Sequence, residues 1–180
     1  MKENYKKLIL ISSIGYVASG IFAPAWYIFL SQRADPLKFG LLLGITAIAG
    51  GLATYFTGKF SDKYDKSLIL TLSYLLLALT SVSFIFVESI LAICSIQFIF
   101  GIASSIVILM ENILVSINTE EHQRGLGMGL FSGVQQVIIG VCMIIGGWIA
   151  IVTNIDRVFL LAAILLFICS AISTKIQNKI

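Results

Sequence analysis

Charge is scarce in this chain. Only 12% of its 180 residues are charged, while 58% are hydrophobic. An ordinary soluble domain carries about 25% charged residues, so this composition excludes a soluble globular protein. We expect the chain to lie in a lipid bilayer.

Residues that commonly carry catalysis or bind metals are also few. The three cysteines, Cys94, Cys142 and Cys169, lie in apolar segments without the spacing of metal ligands, and His122 is the one histidine. The stretch "GLGMG" follows a loop and begins an apolar helix, whereas a nucleotide-binding motif would follow a strand. The sequence therefore predicts no metal site, no cofactor and no enzyme.

Alternating polarity is missing as well. Runs such as "SYLLLALTSVSFIFV" do not alternate, which argues against a membrane β-barrel. A bilayer core about 30 Å thick needs about 20 apolar residues per helix. The chain has six segments of suitable length: 8–30, 39–58, 67–87, 90–116, 126–150 and 157–174. We predict an all-α integral membrane protein with six transmembrane helices, forming a single domain over residues 1–180.

The basic residues predict the orientation of these helices. Nine lie on the side that holds both termini: Lys2, Lys6, Lys7, Lys59, Lys63, Lys66, Arg124, Lys175 and Lys179. Three lie on the other side: Arg33, Lys38 and Arg157. The positive-inside rule then places both termini in the cytoplasm of a multi-pass protein of the cell membrane, plasma or inner. The net charge of +3 is explained by topology, and no nucleic-acid partner is predicted.

Glycine is unevenly distributed among the six segments. Helices 2 and 5 carry ridges of small residues, which allow helix backbones to approach closely in a membrane. The candidate packing positions are Gly40, Gly44, Gly51, Gly129, Gly140 and Gly147. Helices 3 and 6 contain no glycine, and we expect them to be apolar on all faces and to face lipid.

The chain divides into two triplets of helices, 1–89 and 90–180. Each triplet has a helix dotted with polar residues, then a glycine-ridged helix, then a plain apolar helix. Two triplets of three spans enter the membrane with opposite topology. This order predicts a 3+3 inverted repeat.

The loop "GKFSDKYDK" between helices 2 and 3 resembles the signature loop of the major facilitator superfamily, G-x-L-a-D-r-x-G-r-k. Gly58, Asp62, Lys63 and Lys66 match the pattern, and Asp65 replaces its second glycine. The stretches "DPLKFGLLLGI", "EEHQRGLGMGLFSG" and "IDRVFLL" resemble other parts of the same family. The resemblance covers one six-helix unit, similar to the N-terminal half of the family's fold.

Two further patterns of the family are only partly present. Gln97 stands where the family's antiporters have a buried arginine, and Cys142 and Met143 replace the Gly-Pro of a helix 5 motif. Antiport is therefore not supported. The solute and the coupling ion are not specified by these residues.

The signature loop has two interpretations. In one, its lysines only set the topology. In the other, which the resemblance implies, the loop latches two six-helix halves together, with Asp62 facing a helix of the other half. A symmetric homodimer would place Asp62 near Arg124 of a second copy, and a separately encoded second half is the alternative.

Polar residues inside the spans are candidates for contact with a solute or ion. They are Tyr16, Gln97, Glu111, Asn112 and Gln136. A carboxylate within a membrane span is costly, so Glu111 either extends to the membrane surface or faces a cavity, where it binds a cation or changes protonation. Gln136 either lines the cavity or forms a hydrogen bond between helices. The resemblance implies that helices 1 and 4 line the central cavity.

Two functions are compatible with these features. The first is a secondary transporter, or half of one, that moves a small-molecule substrate by alternating access, as a dimer of six-helix units. The second is a truncated or accessory membrane protein that does not transport.

Overall fold

The computed structural model describes residues 3–174 of the chain, and this part folds into six long α-helices. They are α1 (Glu3–Ser31), α2 (Pro36–Phe60), α3 (Lys66–Phe86), α4 (Ile90–Asn118), α5 (Arg124–Val152) and α6 (Ile155–Ser173). Each is long and apolar enough to cross a membrane. The predicted six-helix membrane fold is confirmed, and several helices extend a few residues beyond their apolar segments.

Side-chain caps fix where most of these helices begin. Asp35 accepts a hydrogen bond from the Lys38 amide at 2.9 Å, directly before Pro36 at the first position of α2. The hydrogen bonds with Lys38 also hold the pKa of Asp35 below its usual value. Ser89 and Asn154 cap α4 and α6 in the same way. The connections can therefore be short without leaving the first amides of the helices unpaired.

Asp65, which replaces a glycine of the signature loop, caps α3. Its carboxylate accepts hydrogen bonds from the amides of Ser67 at 2.8 Å and Leu68 at 3.3 Å. The departure from the family pattern therefore has a structural role, because an N-cap carboxylate satisfies amides that a glycine would leave to water.

The packing of the helices repeats between the two triplets. Helix α2 packs on α4 and α1 packs on α5, while α3 and α6 pack on each other; α1 also contacts α6, and α3 contacts α4. Exchanging α1 with α4, α2 with α5 and α3 with α6 leaves this set of contacts unchanged. The fold is a 3+3 inverted repeat, as predicted.

Glycines form the closest joints of this repeat. A side chain at Gly101 on α4 would collide with the backbone of Thr46 on α2. On the other side of the repeat, a Cβ atom at Gly146 on α5 would lie 2.7 Å from the Ile21 backbone on α1. The α2–α4 and α1–α5 pairs therefore pack backbone against backbone, as small residues allow in membranes.

The glycine ridges predicted from the sequence lie elsewhere on the same helices. Beyond the local backbone of its own helix, a Cβ atom added at Gly40, Gly44, Gly51, Gly129 or Gly140 would meet no heavy atom of the described residues within 4 Å, and one at Gly147 would meet only Pro24, at 3.9 Å. These ridges lie on open faces of α2 and α5. Their role in packing stays a prediction. Any such packing would be against another molecule, because these ridges, apart from the Pro24 contact, meet no other helix of the described residues.

Helices α3 and α6 are more buried than expected. Half of the most apolar 18-residue stretch of α3 is buried within the unit, against 17% of the corresponding stretch of α2. Hydroxyl groups join α3 to α6: Thr71 Oγ1 and Ser173 Oγ are 2.7 Å apart, and Ser170 donates to the Thr71 carbonyl at 3.0 Å. The expectation that these helices are apolar on all faces is wrong, because serines and threonines line the face they share.

A layer of aromatic rings crosses the core. The ring of Phe22 on α1 lies 5.9 Å from Phe84 on α3, 5.5 Å from Phe100 on α4 and 5.2 Å from Phe159 on α6. Below it, the core extends toward the end of the bundle where α1 begins, which we call the N-terminal end. Above it, a second core cluster fills the opposite end. The layer therefore separates two regions of the interior.

The N-terminal end also holds the α2–α3 and α4–α5 connections, because six helices of alternating direction bring them there. The basic residues of the signature loop and Arg124 therefore lie at this end. Lys2, Lys175 and Lys179, which the orientation prediction also uses, lie outside the described residues. Which end faces the cytoplasm stays a prediction.

Candidate functional site

Glu111 is the buried carboxylate of the interior. It lies on α4 and is 1% exposed, and the phenol of Tyr74 on α3 donates a hydrogen bond of 2.6 Å to its Oε1 atom. No Lys or Arg lies within 4.0 Å of it among residues 3–174. The alternative in which Glu111 extends to the membrane surface does not fit this burial.

Side chains of two other helices complete the surroundings of Glu111. The fully buried hydroxyl of Ser12 on α1 lies beside the carboxylate. Tyr16 on α1 and Cys169 on α6 also lie close enough to Glu111 to interact with its charge. The Oε2 atom of Glu111 and the Oγ atom of Ser12 have no hydrogen-bond partner of standard geometry. Side chains of four helices therefore surround one buried carboxylate.

Gln135 on α5 is a polar span residue that the sequence analysis did not select for the site. It is 1% exposed, and neither its amide oxygen nor its amide nitrogen has a hydrogen-bond partner. The residue chosen from the sequence, its neighbour Gln136, is exposed on the outer face of α5. The signal that could have distinguished them is the buried stripe of Phe131, Gln135, Cys142 and Gly146. Its spacing of four and seven residues marks the inner face of the helix.

The register of α1 and α5 places Gln135 near the level of Glu111. The phenol of Tyr5 donates to the Gly127 carbonyl at 2.9 Å, and a Cβ atom at Gly20 would lie 2.6 Å from Cys142 Cβ. Both contacts join residues 122 positions apart in the parallel pair α1–α5. The same offset of 122 positions puts Gln135 level with Ser13, the residue after Ser12.

Gln97 lies on the other side of the aromatic layer. It is fully buried between α2 and α4, where Thr46 Oγ1 donates to its Oε1 atom at 2.9 Å, while its Nε2 atom has no partner. It lies roughly 21 Å along α4 from Glu111, at 1.5 Å per residue. The structure therefore gives the two residues different helix contacts, although the sequence assigns both to one candidate cavity.

Tyr16 and Asn112 are predicted site residues near Glu111. Both are partly exposed, on α1 and α4. Asn112 follows Glu111 directly, and Tyr16 is an electrostatic neighbour of Glu111. Their role in binding a solute stays a prediction.

Asp62 of the signature loop makes no strong contact with the described residues. The side chain of Asp62 is 92% exposed, and the Lys66 ammonium lies 3.8 Å from it. Lys66 Nζ also donates to the Ser61 carbonyl at 3.3 Å. Lys63 lies over the Phe60 ring at 5.9 Å. The loop is thus organised by its lysines, while Asp62 points outward.

The other two residues assigned to the latch are also placed. Gly58 lies in the last turn of α2, and only Leu109 would contact a Cβ atom there, at 4.0 Å. Arg124 is exposed at the first position of α5. No described contact joins Asp62 to Arg124 within the chain, and the latch stays a prediction about a second unit.

Comparison with known proteins matches residues 8–176 to the Major Facilitator Superfamily. The chain is 20% identical over 161 residues to a Bacillus subtilis (strain 168) protein described as an uncharacterized MFS-type transporter, YitZ, and the alignment covers 89% of this chain and 98% of that relative. It is 33% identical over 87 residues to the steroid transmembrane transporter SLC22A24 of Rattus norvegicus, covering 47% of this chain and 16% of that relative. The bacterial relative therefore has about the length of this single unit.

Proposed function

Since the chain belongs to the major facilitator superfamily of membrane transporters, we propose that it moves a small solute by alternating access, as a dimer of six-helix units. The observation that carries this proposal is the openness of α2 and α5. Of the six helices, these two have the smallest fraction of their apolar stretch buried within the unit, and their ridge glycines face empty space.

A second unit would supply the missing wall of a central cavity. A twofold axis along the membrane normal sets α2 of one copy against α5 of the other, and the same contact forms twice. Lipid already satisfies the apolar surface of a helix, so the driving force would be close packing along the ridges. The bacterial relative of one-unit length supports a functional unit assembled from such chains.

The signature loop would act across this dimer. Of the helices α2, α3, α4, α5 and α6, only α5 begins without a side-chain cap. Its first amides and the exposed Arg124 form a positive end to which the outward-pointing Asp62 of a second copy could bind. A carboxylate at an exposed helix N-terminus gains about 0.3–1 kcal/mol, an interaction weak enough to form and break in each cycle.

Cysteine crosslinking tests the dimer and the latch together. We expect Asp62→Cys with Arg124→Cys, in a background where Cys94, Cys142 and Cys169 are replaced by serine or alanine, to give an intermolecular disulfide on oxidation. The matched control pairs Asp62→Cys with Asp156→Cys, at the opposite end of the bundle, and should not crosslink. Intramolecular products alone, or no product, would contradict the dimer.

Transport is tested with purified protein in liposomes. The spans carry few charges, and the name of the rat relative specifies steroids, so a radiolabelled steroid is the first solute to test. We expect solute uptake into liposomes that carry the protein and none into empty ones. A dimer that transports none of a panel of steroids, sugars, amino acids and organic anions would instead favour the non-transporting membrane protein.

A further inference from the structure

An open pocket lies at the N-terminal end of the unit, between the last turns of α2 and the start of α3. Its volume is about 260 Å³, and it is lined by Phe56, Thr57, Phe60, Ser61, Tyr64 and Ile69. The side chains of Phe56, Phe60 and Tyr64 are 53%, 42% and 65% exposed. Aromatic rings are common where a membrane meets water. The pocket therefore presents an apolar wall to the surroundings at the end of a span.

Two lysines lie at the edge of this pocket. The Nζ atom of Lys59 is 5.8 Å from the centre of the Phe60 ring, and the Nζ atom of Lys63 is 5.9 Å from it. Neither ammonium has a carboxylate within 4.0 Å in the described part of the chain, and the Asp62 side chain contacts Lys66 instead. Two positive charges beside one ring repel each other, so an anion placed between them would be stabilised.

The pocket is apolar toward the bilayer centre and positive toward the membrane surface. Phe56 precedes Phe60 by four residues in α2 and lies roughly 6 Å closer to the centre, at 1.5 Å per residue. Lys59 and Lys63 lie beyond Phe56, in the last turn of α2 and in the connection to α3. A phospholipid has the matching polarity, because its phosphate lies at the surface and its acyl chains point inward. The positive-inside rule predicts that this end meets the leaflet that carries anionic lipids.

We propose that the pocket binds an anionic phospholipid, with one acyl chain against the rings of Phe56, Phe60 and Tyr64 and the phosphate between Lys59 and Lys63. Pockets for drug-sized ligands measure about 300–1,000 Å³, so this one suits a length of a single chain. The bound lipid would connect the end of α2 to the start of α3. Its binding requires no transport, so the inference goes beyond the proposed function.

Native mass spectrometry of the purified protein in mild detergent tests the choice of lipid. The protein is titrated with dioleoyl phosphatidylglycerol, which is anionic, or with dioleoyl phosphatidylcholine, which has the same acyl chains and no net charge. We expect phosphatidylglycerol to half-saturate the protein at a concentration at least about tenfold lower, because basic side chains at a membrane surface attract anionic lipids.

Charge variants assign this preference to the two lysines. The double variant Lys59→Gln with Lys63→Gln should bind both lipids equally weakly. The matched control is Lys6→Gln with Arg157→Gln, which removes the same charge at two exposed positions and should keep the preference of the wild type.

Ring variants test the apolar wall. Phe56→Ala and Tyr64→Ala should each weaken the binding of phosphatidylglycerol several-fold, because each removes a ring that contacts the acyl chain. Both side chains are more than half exposed, so the variants should fold, and thermal unfolding checks that they do. Phe86→Ala is the control, since Phe86 is 79% exposed at the opposite end of the bundle.

Four outcomes would overturn the lipid site. The first is equal binding of the two lipids by the wild type, and the second is a preference for phosphatidylglycerol that survives the loss of both lysines. The third is displacement of the lipid by glycerol 3-phosphate, which would assign the lysines to a free phosphate compound. The fourth is phosphatidylglycerol bound to monomers and absent from dimers, which would assign the pocket to a second copy of the chain.

Discussion

Tyr74 on α3 donates a 2.6 Å hydrogen bond to Glu111 on α4, and both side chains are at most 2% exposed. The bond joins the last helix of the first triplet to the first helix of the second. A hydrogen bond to a carboxylate is stronger than one between neutral groups. The contact therefore both holds the triplets together and fixes the orientation of the buried acid.

Replacing Tyr74 by phenylalanine should destabilise the protein. The change removes the hydroxyl and leaves the Oε1 atom of Glu111 unpartnered, at an expected cost of about 1–2 kcal/mol in the free energy of unfolding. Denaturation of the purified protein in detergent measures it. Tyr64→Phe is the control, because Tyr64 is 65% exposed in the α2–α3 connection. Equal stability of the two variants would show that the Tyr74 hydroxyl contributes nothing.

Gly101→Ala should destabilise the α2–α4 joint. The added Cβ atom meets the backbone of Thr46, which cannot move as a flexible side chain could. Overpacking of this kind costs about 1–3 kcal/mol. The control is Gly51→Ala on α2, where the Cβ atom enters open space and alanine is the better helix former. A Gly101→Ala protein as stable as wild type would show that the joint can adjust.

Gly44→Leu should weaken the proposed dimer without unfolding the unit. Gly44 lies on the open face of α2, so a larger side chain there fits within one chain but separates two. Native mass spectrometry in mild detergent measures the dimer fraction, and thermal unfolding measures the unit. Ala171→Leu adds similar bulk to the exposed face of α6 and should leave the dimer intact. An unchanged dimer fraction in Gly44→Leu would place the interface elsewhere.

Asp65→Ala should lower stability by about 1 kcal/mol, because it removes the cap of α3. Asp65→Gly, which restores the residue of the family's signature loop, should cost only a few tenths of a kcal/mol. Thermal unfolding of both variants measures the difference. Glu120→Ala is the control, since Glu120 precedes a short helix without a side-chain cap bond. A cost for alanine no greater than that for glycine would contradict the capping role.

The number of helices, their repeat and the signature loop could be predicted from the sequence because they depend on length, hydropathy and turn chemistry. Which side of each helix is buried within the unit could not be predicted from the sequence. Gly50 and Gly51 are adjacent, yet only Gly50 packs within the unit, and Gln135 is buried beside an exposed Gln136. In a soluble protein polarity separates the inner from the outer face. In a bilayer both faces are apolar, so that signal is weak.

The exchange symmetry of the helix contacts affects the side of the membrane toward which the unit opens. If the contacts of the two triplets are interchangeable, opening the unit toward one side of the membrane and opening it toward the other are equivalent movements of the backbone. The preference between them must then come from side chains that the repeat does not share. An acid lies below the aromatic layer at Glu111, and a neutral amide lies above it at Gln97. The resting orientation of the molecule would be set by that chemical difference.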